Sequence, residues 1–282
     1  MTIITRIFYY LYRLFNAIRF LGILNSLKIF YFSKLFKSKL MKISLFNNNF
    51  YFRPKVDNGS YSRLTKSQYI VKSTLNQPME FVIDAGANIG SQAIRFVNLN
   101  PQIKKIICVE PDIENYKLCK ENLKNYKAVV YNNALASSSN QNLLVQKTVN
   151  SEMSEIINGG DKDLIKTNNS HTIKTISIND IIKKENINRI DLMKLDINGY
   201  ENEVFSKNLE WLNITNCMAF NNADINDSTS KMIRLYEQAV GKIKIYNIDQ
   251  MIFLIRHDIN WLPTKGFMNS KRIGFFESDE RF

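Results

Sequence analysis

The chain has 282 residues, 45% of them hydrophobic and 12% aromatic, with five prolines and ten glycines; this can bury one sizeable core plus an appendage and excludes a disordered or collagen-like chain. The net charge of +12 is unevenly placed, because residues 1–56 hold ten basic side chains and no acid, which leaves the remainder close to neutral. Three cysteines without metal-ligand spacing make a reduced compartment the default, and with only His171 and His257 a histidine-rich metal site is excluded, so no metal is expected.

Residues 3–21 place Ile4, Ile7, Leu11, Leu14, Ile18 and Leu21 three and four apart, with Arg6, Arg13 and Asn16 opposite. The period predicts an amphipathic helix. Basic residues interrupt every window long enough to cross a bilayer, and no small-residue cleavage site follows, so neither a spanning helix nor a standard signal peptide fits. Two readings of this arm stand. It lies in a membrane interface, helped by Phe8, Tyr12, Phe15 and the run Phe30–Phe32, or it packs on its own domain or on a twin subunit. The expected location is cytoplasmic, with the first reading putting the arm on the inner face of a membrane.

Residues 43–56 read as a hairpin around the turn-prone Asn47, Asn48 and Asn49. Arg53 there is either a surface residue or an anion-binding fork aimed at the site. Residues 60–76 read as a helix leading to Pro78. Phe81–Asp84 then form a buried strand ending in a carboxylate, and Gly86, Asn88 and Gly90 turn the chain into a helix from Ser91. Glycines there let backbone N–H groups approach a ligand closely.

A second apolar run, Ile106–Val109, ends in Glu110, and Ile113–Leu123 follow with a helical pattern. An acid about 20 residues after a glycine turn is where a doubly wound sheet holds ribose hydroxyls. No G-x-G-x-x-G is present to cradle a pyrophosphate, which favours a nucleoside without phosphates, such as S-adenosyl-L-methionine, over NAD. Ala128–Tyr131 make a third strand. Asn133 at its end either meets an adenine edge or is an ordinary loop asparagine.

Residues 135–175 are polar and weakly patterned, as a lid or substrate loop is, or as an excursion of a few short strands is. Strands over Ile173–Ile178 and Ile190–Leu195 flank a short helix at Asn179–Glu185, and Asp196 stands at the second strand's carboxyl end. Tyr200–Phe205 begin another helix. Met218–Phe220 read as a fifth strand, Lys231–Val240 as a helix, and Lys242–Tyr246 with Met251–Ile255 as a closing hairpin. Asp84, Glu110, Asn133 and Asp196 all fall beyond the carboxyl ends of strands, where an open α/β sheet binds its ligand. The expected fold is therefore α/β and Rossmann-like: a mainly parallel central sheet with an antiparallel closing strand, plus the N-terminal amphipathic helix. Three segments are expected: an arm over 1–42, a hairpin and helix over 43–78, and the main domain over 79–282.

The segments FYFRP (Phe50–Pro54), FVIDAGANIGSQAIRF (Phe81–Phe96), CVEPDIENYKLCKENL (Cys108–Leu123), NNALAS (Asn132–Ser137) and IDLMKLDINGYENEVF (Ile190–Phe205) together resemble the FkbM-type S-adenosylmethionine-dependent methyltransferases. The resemblance implies a class I methyltransferase fold and methyl transfer to an oxygen, commonly on a sugar or other secondary metabolite. By position, Asp84, Gly86, Asn88 and Gly90 would line the methionine and ribose of the cofactor. Glu110 would take the ribose hydroxyls, Asn133 and Ala134 would lie near adenine, and Lys194 and Asp196 would face the reacting centre. The family reads D-x-E-G where this chain has Asp196-Ile197-Asn198-Gly199, and acidic and histidine residues at a later strand end where it has Asn221-Asn222-Ala223-Asp224. A catalytically degenerate cofactor-binding or scaffold protein is the alternative. A nucleic-acid-binding protein is weaker, since no aromatic-flanked Asn-Pro-Pro pattern for a flipped base is present, and no nucleic-acid partner is expected.

Overall fold

The structure is a computed structural model; it describes residues 22–27, 40–54, 56–57, 68–147, 154–157, 170–197, 200–221, 227–248 and 251–266, together with single helical positions between 8 and 18. The rest of the predicted arm helix, including the run 30–32, lies outside the described residues, as do Asn198, Gly199 and residues 222–224.

Strands β1 (Met41–Leu45) and β2 (Asn48–Phe52) form the expected hairpin. Its turn is Phe46-Asn47, both at positive φ, one step earlier than the asparagine cluster predicts. Residues 68–72 of the predicted 60–76 helix are instead a strand, β3 (Gln68–Lys72). Val71 is fully buried there, and the strand pairs with a partner from the far end of the chain, which no local pattern reveals.

Next come β4 (Phe81–Ala85), α1 (Ser91–Leu99), β5 (Lys105–Val109), α2 (Ile113–Leu123) and β6 (Ala128–Tyr131). Residues 134–176 are the strand excursion rather than a lid without regular structure: β7 (Ala134–Leu135), β8 (Asn142–Lys147), β9 (Ser154–Ile157) and β10 (Ser170–Ile176) form a separate four-stranded sheet. Then follow α3 (Ile178–Glu185), β11 (Ile190–Leu195), α4 (Glu201–Val204), β12 (Thr215–Asn221), α5 (Asp227–Val240), β13 (Ile243–Ile248), β14 (Met251–Arg256) and β15 (Leu262–Gly266), the strand that pairs with β3.

The central sheet has the order β13-β14-β12-β11-β4-β5-β6. Pairing is parallel from β12 through β6 and antiparallel at β14 and β13. This is the class I methyltransferase arrangement, with helices on both faces. The central strands read as continuous apolar runs because each face meets a core. Alternate residues divide between the two cores: Val82, Ile106, Leu192 and Phe253 pack with α1, β2 and β3, while Ile83, Ile107, Met193 and Leu254 pack against α3 and α5. The strand order reverses between β4 and β11, the place where an open α/β sheet binds its ligand beyond the carboxyl ends of its strands.

Candidate active site

The turn after β4 is built by backbone geometry. Gly86, Asn88 and Gly90 all have positive φ. At Gly86 a side chain is impossible without displacement, because a Cβ would come within 1.9 Å of the Asp196 carbonyl oxygen. The ends of β4 and β11 therefore touch through their backbones. The Gly86 and Ala87 amides donate to the Val109 carbonyl at 3.0 and 3.2 Å, and the Asp196 amide donates to Ala85 at 3.2 Å. Three strand ends are thus tied into one floor.

Beneath that floor lie the fully buried Asp84 and Lys194, only 3% exposed, directly opposite each other in the β4–β11 register. The Lys194 Nζ stands 2.9 Å from Asp84 Oδ1 and donates to the carbonyls of Ala85 at 3.2 Å and Gly86 at 2.9 Å. It is 3.7 Å from Asp196 Oδ2. The ammonium therefore holds the turn from a buried position. Asp196 is the partly exposed member of the cluster, with 23% of its side chain in contact with solvent.

Glu110 sits beyond β5 and is 4% exposed. Its Oε2 accepts from the Asn88 amide at 2.8 Å, and its Oε1 from the Asp112 amide at 3.0 Å and Asn115 Nδ2 at 3.4 Å. Burial pushes its carboxyl up to about 7 despite these donors. Asp112 caps α2 by accepting from the amides of Glu114 and Asn115, which fixes Asn115 beneath Glu110. The Pro-Asp pair before an apolar helical run is a legible cap signal; the role of Asn115 carried none.

Arg53 does not aim its fork at a free anion. It donates to Asp57, Glu114 and Asn115, and so holds the end of the hairpin against the first turn of α2. Asn122 does the same one face over: it accepts from the Tyr51 amide at 2.7 Å and donates to the carbonyls of Tyr51 and Ile89 at 2.9 and 2.8 Å.

The structure brings Asp84, Gly86, Asn88, Gly90, Glu110, Lys194 and Asp196 to the ends of three adjacent strands. Asn133 is different. Its Nδ2 donates to the Lys174 carbonyl at 3.0 Å, so the amide ties β7's approach to β10. Its neighbour Asn132 donates to the Glu110 and Pro111 carbonyls, and His171 Nε2 lies 3.2 Å from Pro111 O. Ala134 is buried in β7. One residue that the sequence reading passes over is Gln92, in the first turn of α1: it is 4% exposed, and neither amide atom has a hydrogen-bond partner. Among the described residues no three metal-ligating side chains form a group that could hold an ion.

A sequence model of the Methyltransferase FkbM domain matches residues 84–239, more than half of the chain. The protein belongs to the FkbM methyltransferase family. The matched span opens on Asp84 and takes in Glu110, Lys194 and Asp196. Among solved structures, the FkbM methyltransferase of Methylobacillus flagellatus is 13% identical over 63% of this chain and 43% of its own, with a TM-score of 0.45. The precorrin-6y C5,15-methyltransferase of Geobacter metallireducens is 11% identical over 72% of this chain and 87% of its own, TM-score 0.35. M. capricolum TrmK, solved with S-adenosyl-homocysteine, is 11% identical over 64% of this chain and 63% of its own, TM-score 0.34. This chain thus spans less than half the length of the Methylobacillus protein. No curated protein matches it by sequence. As an FkbM methyltransferase it is dependent on S-adenosyl-L-methionine, and no helix among its described residues is long and apolar enough to cross a membrane.

Proposed function

We propose that this FkbM methyltransferase transfers a methyl group to a hydroxyl of a sugar or glycan, using the crevice beyond β4, β5 and β11. The observation that carries the reading is the buried, multiply donated carboxylate of Glu110 two strands away, across β4, from the partly exposed Asp196. The residues fit S-adenosyl-L-methionine. A buried carboxylate matches a ribose diol, and the unpartnered amide of Gln92 offers a donor and an acceptor to an amino-acid end. The glycine turn leaves no side chain in the way. When bound, the cofactor supplies an electrophilic methyl group on a positive sulfur.

The chain's own residues do the rest. Glu110 accepts from both ribose hydroxyls while the Asn88 and Asp112 amides fix its plane. Lys194 and Asp84 hold the turn as positioning residues. Asp196 would orient the acceptor hydroxyl and accept its proton. Holding the reactants in line can supply about 7 to 11 kcal/mol in favourable cases, so the base helps without having to dominate. Asn133 and Ala134 border the adenine side through the backbone rather than through the asparagine amide. For this purpose the chain divides into an arm over 1–42, a hairpin segment over 43–78 and the methyltransferase domain over 79–282, working on the cytoplasmic side.

The test uses the full chain, labelled S-adenosylmethionine and a panel of saccharide acceptors. Asp196→Asn is expected to lower kcat by about 100-fold or more while S-adenosylhomocysteine affinity stays within about twofold. Label transfer that Asp196→Asn leaves untouched, or no transfer to any saccharide while another acceptor class is methylated, overturns the proposal.

A further inference from the structure

The N-terminal helix carries an apolar face that the domain does not use. Phe8, Leu11, Tyr12, Phe15 and Ile18 are all helical and exposed, and they recur three and four residues apart, which places them on one side. Phe8 and Phe15 are 68% and 65% exposed. In the separate helical residues 22–27, Ile23 and Leu24 are exposed as well, the latter by 77%. Packing on the chain's own domain, one of the two readings of the arm, leaves such side chains covered; here they are not.

Charge decides between the remaining occupants. The first 56 residues hold ten lysines and arginines and no acid. A second copy of the helix would bring like charge against like charge along the whole arm. A nucleic acid would neutralise the cations but leave five large apolar side chains in water. An anionic lipid interface takes both, the apolar face entering the acyl boundary and the basic residues resting among acidic headgroups.

We infer that this helix is an interfacial anchor that docks the enzyme on an anionic bilayer. Later in the chain, residues 22–27 touch the catalytic domain: Asn25 donates through Nδ2 to the Ser44 carbonyl at 2.9 Å and accepts from the Ser44 amide at 3.4 Å. Ser44 belongs to the hairpin whose other strand is pinned to α2 by Asn122. The inference is independent of the saccharide acceptor proposed above.

The experiment is flotation of the full chain with vesicles of phosphatidylcholine alone and of phosphatidylcholine with about one third phosphatidylglycerol, at low and high salt. The parent is expected to float with the anionic vesicles only and to be released in large part by salt. Phe8→Asp combined with Phe15→Asp is expected to cut binding at least tenfold with unchanged S-adenosylhomocysteine affinity. Three results overturn the inference: a parent that stays at the bottom with anionic vesicles, a double variant that floats equally well, or sedimentation showing a parent dimer that the double variant dissolves.

Discussion

Glu110 offers the sharpest prediction because burial and ligand recognition pull its proton in opposite directions. Its carboxyl is raised from 4.5 to about 7 by desolvation, which outweighs the donors from Asn88, Asp112 and Asn115. Ribose hydroxyls need it as an acceptor, hence ionised. Below pH 7 ligand binding must expel a proton, and each unit costs about 1.4 kcal/mol, or tenfold in affinity. S-adenosylhomocysteine titrated calorimetrically should therefore bind about tenfold more weakly at pH 6 than at pH 8, with a proton released on binding. Stability runs the other way. The folded pKa lies above the unfolded one, so the unligated protein is favoured below pH 4.5 and loses stability as pH rises through 7, by about 3 kcal/mol in all for the 2.5 units between them. Glu110→Gln removes both effects. Its ligand affinity should be flat with pH and weaker than the parent's at pH 8 by about 2 kcal/mol, the worth of charge-assisted bonds. A parent affinity that does not change between pH 6 and 8, or a Gln variant that keeps the parent's slope, would refute the argument.

Other outcomes follow from the same floor. Lys194→Met strands Asp84 in the core and frees two carbonyls, so chemical denaturation should show a loss of about 3–5 kcal/mol, and adding Asp84→Asn should recover part of it; strictly additive losses would mean the two side chains do not act as a pair. Gly86→Ala drives a Cβ into the Asp196 carbonyl at a φ of +70°, and should cost about 3 kcal/mol of stability together with most cofactor affinity, whereas Gly241→Ala, also at positive φ but in open space, should cost about 1 kcal/mol and leave binding alone. Gln92→Leu should move two readouts in opposite directions, raising the melting temperature because an unpaired buried amide is gone and lowering S-adenosylhomocysteine affinity about tenfold; a fall in both would show that the amide has a structural partner instead.

How far these elements could be read in advance depended on whether their cause is local. Phe81–Ile83 and Ile106–Val109 belong to strands that meet a core on each face, so they print uninterrupted apolar runs, and the acids that follow them, Asp84 and Glu110, are visible as the first polar residue. β3 carries no local signal, because its partner among the described residues is β15, nearly two hundred positions later. The excursion over β8 to β10 was ambiguous because its strands pair at one side of the domain and carry little apolar pattern; only Val145 of β8 is fully buried. Asn133 was read by position as a base contact, yet a backbone carbonyl from β10 claims its amide, and that carbonyl arrives through a pairing no spacing predicts. The basic side chain of Lys194 looked catalytic beside Asp196 in the sequence. Positions 194 and 196 share one side of the pleat, and the register sets Lys194 across from Asp84, so the ammonium is held by that carboxylate and by the turn carbonyls of Ala85 and Gly86.

The hairpin before the glycine turn lies outside the residues that match the family, but its packing makes it part of the site. Ile43, Leu45, Phe50 and Phe52 belong to the same core as Val82, Ile89, Ala93 and Leu192, and at about 1.5–3 kcal/mol for each buried side chain they contribute on the order of the whole net stability of a domain. Two polar connections then run from β2 and the residues just beyond it to either side of Glu110. Asn122 links the Tyr51 backbone to the Ile89 carbonyl within the turn, and Arg53 links Asp57 to Asn115, which donates to Glu110 itself. The carboxylate is thus fixed from the turn on one side and from α2 on the other, and both supports reach back to the same two-stranded ribbon. A ligand that closes on Glu110 consequently bears on the hairpin, and a load on the hairpin bears on Glu110.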